Sequence, residues 1–495
     1  MSGGLSPGNV GRTLVKGAAS TGRLATSFGA RCEGRLPRSV RRRGYLRPGD
    51  PAPPPGADLL DYRGVATRSE VAGLEGGELP MGRLLGLGSE PGPELGLPAN
   101  LLLRHVAVLG PSGSGKTTSI IVPWIVQLLR LGASVVTVDV KGDLLAQIQG
   151  HAAATGGPTG SRLWYWDAAA SRSHRWNWLA EAADAQRIEA AVTSVIGRLR
   201  DTDPQPHFHH RDHRWLRALV MLVRAVHGPD AQPSHLLATL NDRRELAAAV
   251  NRAAPGDAGV VDLTDLLALG SDEYSRAVAG LTNALAVFGL TSVRRVTAES
   301  DFQVADVCDR PTLLVAGAPL AHGRVSEVLS GMMTAQALLG VLDRFNNLAT
   351  CRPLFFVLDE APRLTDRVDF EQLLAVARGA HVGVCLAAQD VTQFGDERER
   401  TAVLANCHSM VLMPGSSQPT ADVFAHRLGE RWAEVRSTSR SPGRAQTAPV
   451  TYNRQATAMP VLGRRELMHP PFGSCVAAAH VPSVSRAPFL VDLER

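Results

Sequence analysis

The residues best equipped for chemistry run from Gly110 to Thr117 and read Gly-Pro-Ser-Gly-Ser-Gly-Lys-Thr. Holding a phosphate chain takes backbone N–H groups that converge on an anion, glycines that let the main chain close around it, and the positive end of a helix dipole behind it. Gly110, Gly113 and Gly115 supply the closure, with Pro111, Ser112 and Ser114 between them. Lys116 is placed to reach β- and γ-phosphates, Thr117 to ligate Mg2+, and Thr118 to hold the α-phosphate. An apolar strand before the loop and a helix after it separate this pattern from a chance Gly/Ser turn. The expected cofactors are ATP and Mg2+.

Hydrolysis needs a carboxylate for the metal shell and a base for the attacking water, at the end of a buried strand beside the strand that leads into the phosphate loop. PLFFVLDEAPRL, from Pro353 to Leu364, offers both. Asp359 is the metal candidate and Glu360 the base. Alone, such a pair would read as a surface Asp-Glu opening a helix; the apolar run before it and the phosphate loop upstream argue otherwise. In VVTVDVKGDLL, Asp139 and Lys141 follow a strand end, where open α/β sheets face their ligand. A polar turn with Asp143 as helix cap explains the same residues. Gln389, ending HVGVCLAAQ, could orient a water or be a neutral strand-end amide. Arg378 could act as an arginine finger on a neighbouring subunit's nucleotide, or complement a helix dipole before a Gly379 cap.

The elements that must position these groups alternate. Strands are expected at 105–109, 134–138, 162–166, 312–319 and 353–360 and in HVGVCLAAQ, with helices at 116–130, 325–344 and 370–378. That rhythm means an α/β fold with a mainly parallel sheet. Between about 181 and 300 the strand patterns vanish and amphipathic helices take over, an all-α insertion. The division expected is a basic Gly/Pro-rich disordered arm at 1–75, a first ATPase segment at 76–180, the insertion at 181–300, and a second ATPase segment at 301–495. The last of these includes an exposed polar loop near 436–458.

Composition narrows the class. With 44% hydrophobic and 20% charged residues, the chain is an ordinary globular one. Its net charge of +5 does not by itself call for nucleic acid. From Met1 to Arg43, however, there are nine basic residues and one acid. Of 52 basic residues, three are lysines, Lys16, Lys116 and Lys141. Two of those fall in the segments above, where a compact ammonium suits a site that a guanidinium fork would not. Six scattered cysteines without a C-x-x-C pair fit a reducing compartment. No run of roughly 18 apolar residues marks a membrane span. The reading is a cytoplasmic chain, with the arm available for peripheral attachment at the inner face of the membrane, where each basic residue contributes about 1 kcal/mol. His207, His209, His210 and His213 have metal-like spacing, but a surface cluster at a helix start is favoured because no cysteine or carboxylate completes a known geometry.

GPSGSGKTTSIIVPWI, VVTVDVKGDLL, RWNWL (Arg175 to Leu179), LFFVLDEAPRL and VGVCLAAQDVTQF occur in an order that resembles the type IV secretion coupling proteins, the TraG/TraD-like ATPases of conjugation. DVKGD is similar also to the wider FtsK/HerA group of DNA pumps. The resemblance covers roughly Leu101 to the C-terminus. It implies a RecA-like P-loop NTPase core with an inserted all-α domain, a homo-hexamer, and ATP hydrolysis coupled to moving DNA or presenting a relaxase-like or effector protein to a secretion channel or membrane partner. By the same resemblance Lys116, Thr117, Asp359 and Glu360 match the nucleotide site, Gln389 and Arg378 match a glutamine and a basic residue near it, and Asn406 matches a recurring Asn. The family usually carries N-terminal transmembrane helices; a basic arm stands in that position here. A nucleotide-switched adaptor with little turnover is the alternative, and Glu360 speaks for the motor.

Overall fold

The computed structural model describes residues 65–66, 68–85, 92–158, 160–200, 204–253, 258–319, 322–344, 352–440, 450–469 and 476–493. Residues 1–64 and 67 of the expected basic arm lie outside them, as do Cys32, Cys351 and Cys475; the end of that stretch is ordered instead, with Val65, Ala66, Val71 and Leu74 buried and Ala72–Leu74 a 3-10 turn. Thirteen strands are present among the described residues: β1 (Leu79–Leu84), β2 (Glu94–Leu97), β3 (Val106–Leu109), β4 (Ser134–Asp139), β5 (Arg162–Trp166), β6 (Thr312–Gly317), β7 (Leu354–Leu358), β8 (Val382–Ala388), β9 (Ser409–Leu412), β10 (Glu430–Arg440), β11 (Val450–Pro460), β12 (Val476–His480) and β13 (Phe489–Asp492). The chain forms two compact units, one dominated by residues 96–410 and one that includes residues 411–494.

In the larger unit, six strands lie in the order β3-β8-β7-β4-β6-β5, and every neighbouring pair is parallel; β8, not the expected β7, lies beside the phosphate-loop strand β3. Parallel sheets need cover on both faces, so their strands are continuously apolar. VVTV, LFFVL and VGVCLAA meet that demand, and every residue of β4, β7 and β8 is buried. Helices Val122–Arg130 and Arg324–Asp343 contribute to the cover. Val122–Arg130 buries seven of its nine residues, Trp124 and Ile125 among them, and is an inner helix rather than a surface one.

Between β5 and β6 the described residues hold no strand. The helices there begin where short polar side chains or proline allow. Asp184 and Asp242 cap Ala185–Ile196 and Arg243–Arg252, and proline opens Pro206–His227 and Pro233–Asn241. Pro206–His227 buries Leu216, Leu219, Val220 and Val223, the i, i+3, i+4, i+7 stripe of an amphipathic helix.

RWNWL ties the two ends of this insertion together. The Arg175 N–H donates to Asp301 Oδ2 at 2.8 Å and its Nη2 to Oδ1 at 2.7 Å. Asn177 N–H donates to Ser300 Oγ at 2.9 Å, and Asn177 Nδ2 to the Ala231 carbonyl at 2.7 Å. Trp176 Nε1 donates to Glu181 Oε1 at 2.7 Å. Burial, the largest influence on Glu181, pushes its pKa up to about 7 against the pull of that bond. A carboxyl whose pKa is higher folded than unfolded binds its proton more readily in the native state. Its contribution is therefore lost as pH rises from about 4.5 to about 7. Glu181→Gln keeps the acceptor and removes the charge. It is expected to raise the melting temperature at pH 8, by on the order of 1–2 kcal/mol of stability, and to change it little at pH 4, as thermal scans at the two pH values would show.

In the smaller unit, β12 pairs with β13 and β13 with β1, both antiparallel. The stretch near 436–458 expected as a polar loop is instead largely strand. β10 and β11 form a two-stranded antiparallel ribbon in which Glu430 faces Pro460 and Arg440 faces Val450. Trp432, Val435, Thr438, Val450, Tyr452 and Thr457 carry the β-branched and aromatic content a ribbon favours, which the surrounding Ser, Arg and Gln obscured in the sequence. Residues 441–449 lie outside the described set. Among the described residues no single helix is long and apolar enough to cross a membrane.

Candidate nucleotide site

The site gathers at the carboxyl ends of β3, β8 and β7. Leaving β3, the chain turns through Gly110–Gly115 into a helix whose opening residues, Lys116–Ile121, are wound as π-helix. Gly113 and Gly115 have φ of 77° and 94°, where an L side chain is strained, so the loop requires glycine at both positions. Lys116 is 5% exposed; its Nζ donates to the carbonyls of Gly110 at 2.5 Å and Pro111 at 3.1 Å. Burial lowers its pKa most, Glu360 and Asp359 oppose that shift, and the charge of Lys141 adds to it. Lys141 itself is exposed. The ammonium is thus a desolvated cation folded onto its own loop and faced by two carboxylates, a ready partner for a phosphate oxygen. Thr118 Oγ1 reaches back to the Gly115 carbonyl at 3.4 Å.

Thr117 and Asp359, 242 positions apart in sequence, meet directly: Thr117 Oγ1 donates to Asp359 Oδ2 at 2.7 Å. Asp359 is 6% exposed, and its Oδ1 is buried without a hydrogen-bond partner among the described residues. A buried carboxylate oxygen left bare is costly unless something polar or charged completes it. A hydroxyl and an incompletely bonded carboxylate side by side are hard oxygen donors of the kind Mg2+ takes, so these two residues fit the ion.

Glu360 follows with φ 57°, ψ 42°, a left-handed conformation that a non-glycine residue adopts only when its surroundings enforce it. The turn holds the Glu360 side chain, 7% exposed, against Gln389, whose Nε2 donates to Oε1 at 3.0 Å. Sequence reasoning missed what fixes Gln389. Gln393 Oε1 accepts from the Gln389 and Asp390 N–H groups, at 3.2 Å each, while Asp390 Oδ1 accepts from Thr392 N at 2.8 Å. The D-x-x-Q spacing of a capping box was the available signal.

The remaining candidates stand apart from this cluster. Asp139 is spent on its own turn, accepting from the N–H groups of Gly142 at 2.7 Å and Leu145 at 3.4 Å, while Asp143, the expected cap, makes no side-chain cap bond. Arg378 is exposed after helix Phe370–Ala377, and no contact among the described residues joins it to the phosphate loop. The left-handed residue that ends that turn is His381 rather than Gly379. Next to Arg378, His105 is buried with its Nε2 2.9 Å from the Leu374 carbonyl, and burial lowers its pKa to about 4. Asn406 Nδ2 donates to the Ala402 carbonyl at 2.9 Å, ending its own helix. Of the histidines, His209 meets the Gly197 carbonyl at 2.9 Å and His213 meets Glu189 at 2.9 Å. No metal-holding group of three His, Cys, Asp or Glu occurs among the described residues.

A parallel sheet with a glycine-rich loop leaving one strand and an acidic pair leaving another defines a P-loop NTPase with a RecA-like core. The chain belongs to the type IV secretory system conjugative DNA transfer family, whose model matches residues 92–473. Among solved structures it is similar to the plasmid coupling protein TrwB in complex with the non-hydrolysable ATP analogue ADPNP: 18% identity and TM-score 0.61 over 87% of this chain and 93% of that one. The unbound monoclinic form of the bacterial conjugative coupling protein TrwBdeltaN70 gives 18% identity and 0.60 over 87% and 91%. TrwB in complex with ADP and Mg2+ gives 18% and 0.57 over 81% and 87%. A search among curated proteins returned no match.

Proposed function

We propose that this chain hydrolyses ATP as a coupling-protein motor that moves DNA, or a protein bound to DNA, toward a secretion channel. The observation that carries the proposal is the meeting of Thr117 with Asp359 beside the Glu360–Gln389 pair. The first pair supplies a metal position and the second a base with a partner that aims it. Lys116 and the N–H groups of the Gly110–Gly115 loop would hold the phosphates; Thr117 and Asp359 would hold Mg2+. Bound there, Mg2+ neutralises charge on the β- and γ-phosphate oxygens. Glu360 accepts a proton from the attacking water, and Gln389, bonded to Oε1, keeps the carboxylate turned toward it.

Asp359→Asn leaves the Thr117 contact possible but removes the charge. It is expected to raise the Mg2+ concentration needed for half-maximal nucleotide binding by roughly tenfold or more, in a titration followed by a fluorescent nucleotide. An unchanged Mg2+ requirement would remove Asp359 from the metal site.

Arg378 is proposed to reach a neighbouring copy's nucleotide; its exposure and its lack of a contact to its own loop support that reading. Assembly then follows nucleotide and DNA. Sedimentation with ADPNP, Mg2+ and DNA is expected to give a ring of about six copies, as the family resemblance implies. A chain that stays monomeric at every concentration would contradict the proposal.

A further inference from the structure

Seven residues beyond Glu360, an arginine leaves the nucleotide strand and enters the helical insertion. Arg367 is 9% exposed, and its Nη1 donates to the carbonyl of Val195, on helix Ala185–Ile196, at 3.0 Å. Two glycines form the slot. A Cβ on Gly331 would stand 2.6 Å from Arg367 Cβ, and one on Gly197, whose φ is 110°, would stand 3.2 Å from Nη1. The Arg367 Nε has no partner among the described residues. An aliphatic side chain could fill this slot without desolvating a cation, so packing alone does not account for an arginine here.

The grip extends on both sides of Arg367. Arg198 N–H donates to the Asp366 carbonyl at 2.8 Å, its Nη1 to the Thr365 carbonyl at 3.3 Å and its Nη2 to Asp369 Oδ2 at 2.9 Å. Arg200 Nη2 lies 2.6 Å from Asp366 Oδ1. Residues 365–369 are therefore held by residues 195–200 of the insertion.

What that segment carries gives the grip its meaning. Upstream it is joined to Glu360 by one turn, Ala361–Leu364, closed by Arg363 N donating to the Glu360 carbonyl at 3.1 Å and Arg367 N to the Leu364 carbonyl at 2.9 Å. Downstream, Asp369 caps helix Phe370–Ala377, which leads into Arg378, accepting from Gln372 N at 3.0 Å. A turn this short and this bonded cannot shift at Glu360 without displacing Arg367.

We infer that Arg367 is a coupling residue: it ties the segment after Glu360 to residues 195–200, so that the state of the nucleotide site is delivered to the helical insertion. The inference rests on the proposed nucleotide site. Coupling of this kind requires an element that both sites bias, and residues 361–369 are the segment bonded to both.

Hydrogen–deuterium exchange with and without ADPNP and Mg2+ tests it in the full chain. In the wild type, nucleotide is expected to slow exchange in both the Gly110–Thr118 loop and residues 195–200, the latter by about fivefold or more. In Arg367→Met the loop is still protected and the response at 195–200 is lost. If Arg367→Met does not fold, the Arg198→Ala, Arg200→Ala double variant is expected to weaken the same response from the outer side. A protected loop with no response at 195–200 in the wild type overturns the coupling. Failure of nucleotide to protect the loop at all instead overturns the nucleotide site, and the coupling with it.

Discussion

Lys116→Ala is expected to lower kcat/KM for ATP by about 10²–10³-fold, the loss that follows removal of one preorganised donor from a site of developing charge. The reasoning starts from burial. Lys116 is 5% exposed and satisfied by two backbone carbonyls, with Asp359 and Glu360 supplying the opposing charge. An ammonium prepared in this way adds little to the fold that an apolar residue would not, and much to an incoming phosphate. Lys116→Arg is expected to restore less than a tenth of the activity, because a planar fork cannot occupy the space between the Gly110 and Pro111 carbonyls. Steady-state phosphate release checks both. Retention of near wild-type turnover by Lys116→Ala would move the phosphate site elsewhere.

Glu360→Gln separates binding from chemistry. The amide keeps the size of the side chain and an oxygen for Gln389 Nε2 to donate to, so nucleotide affinity is expected to hold within about threefold while kcat falls by about 10²–10⁴-fold. A purely structural role would give the reverse pattern, since the left-handed backbone at 360 makes misfolding, not chemistry, the cost of a poor substitution. Equilibrium binding of a fluorescent ATP analogue beside single-turnover hydrolysis distinguishes the two. Normal hydrolysis by Glu360→Gln would remove Glu360 from the role of base.

Much of the α/β core could be read from the sequence because buried parallel strands demand apolar runs, and VVTV, LFFVL and VGVCLAA have no polar alternation to mislead. The ribbon of β10 and β11 could not, since its residues look like those of a solvated loop until two such stretches are paired. Within the candidate site, spacing named Lys116, Thr117, Asp359, Glu360 and Gln389. It did not say that Asp139 would turn its carboxylate onto Gly142 and Leu145, because a strand-end aspartate facing a ligand and one capping the next helix have the same sequence. Nor did it foresee the left-handed turn at Glu360, which is imposed by the packing around it rather than by the local residues. RWNWL gained a physical role only when Asp301, at the other end of the insertion, came beside Arg175.

The measurement that bears most directly on the central claim is ATP turnover by the full chain at low salt, with no DNA, with single-stranded DNA and with double-stranded DNA, with Lys116→Ala as the control. Turnover that rises at least about tenfold with one form of DNA, that falls away as salt is raised and that drops by about 100-fold or more in Lys116→Ala is the predicted result. Turnover indifferent to both forms of DNA at every salt concentration would contradict a DNA-moving motor.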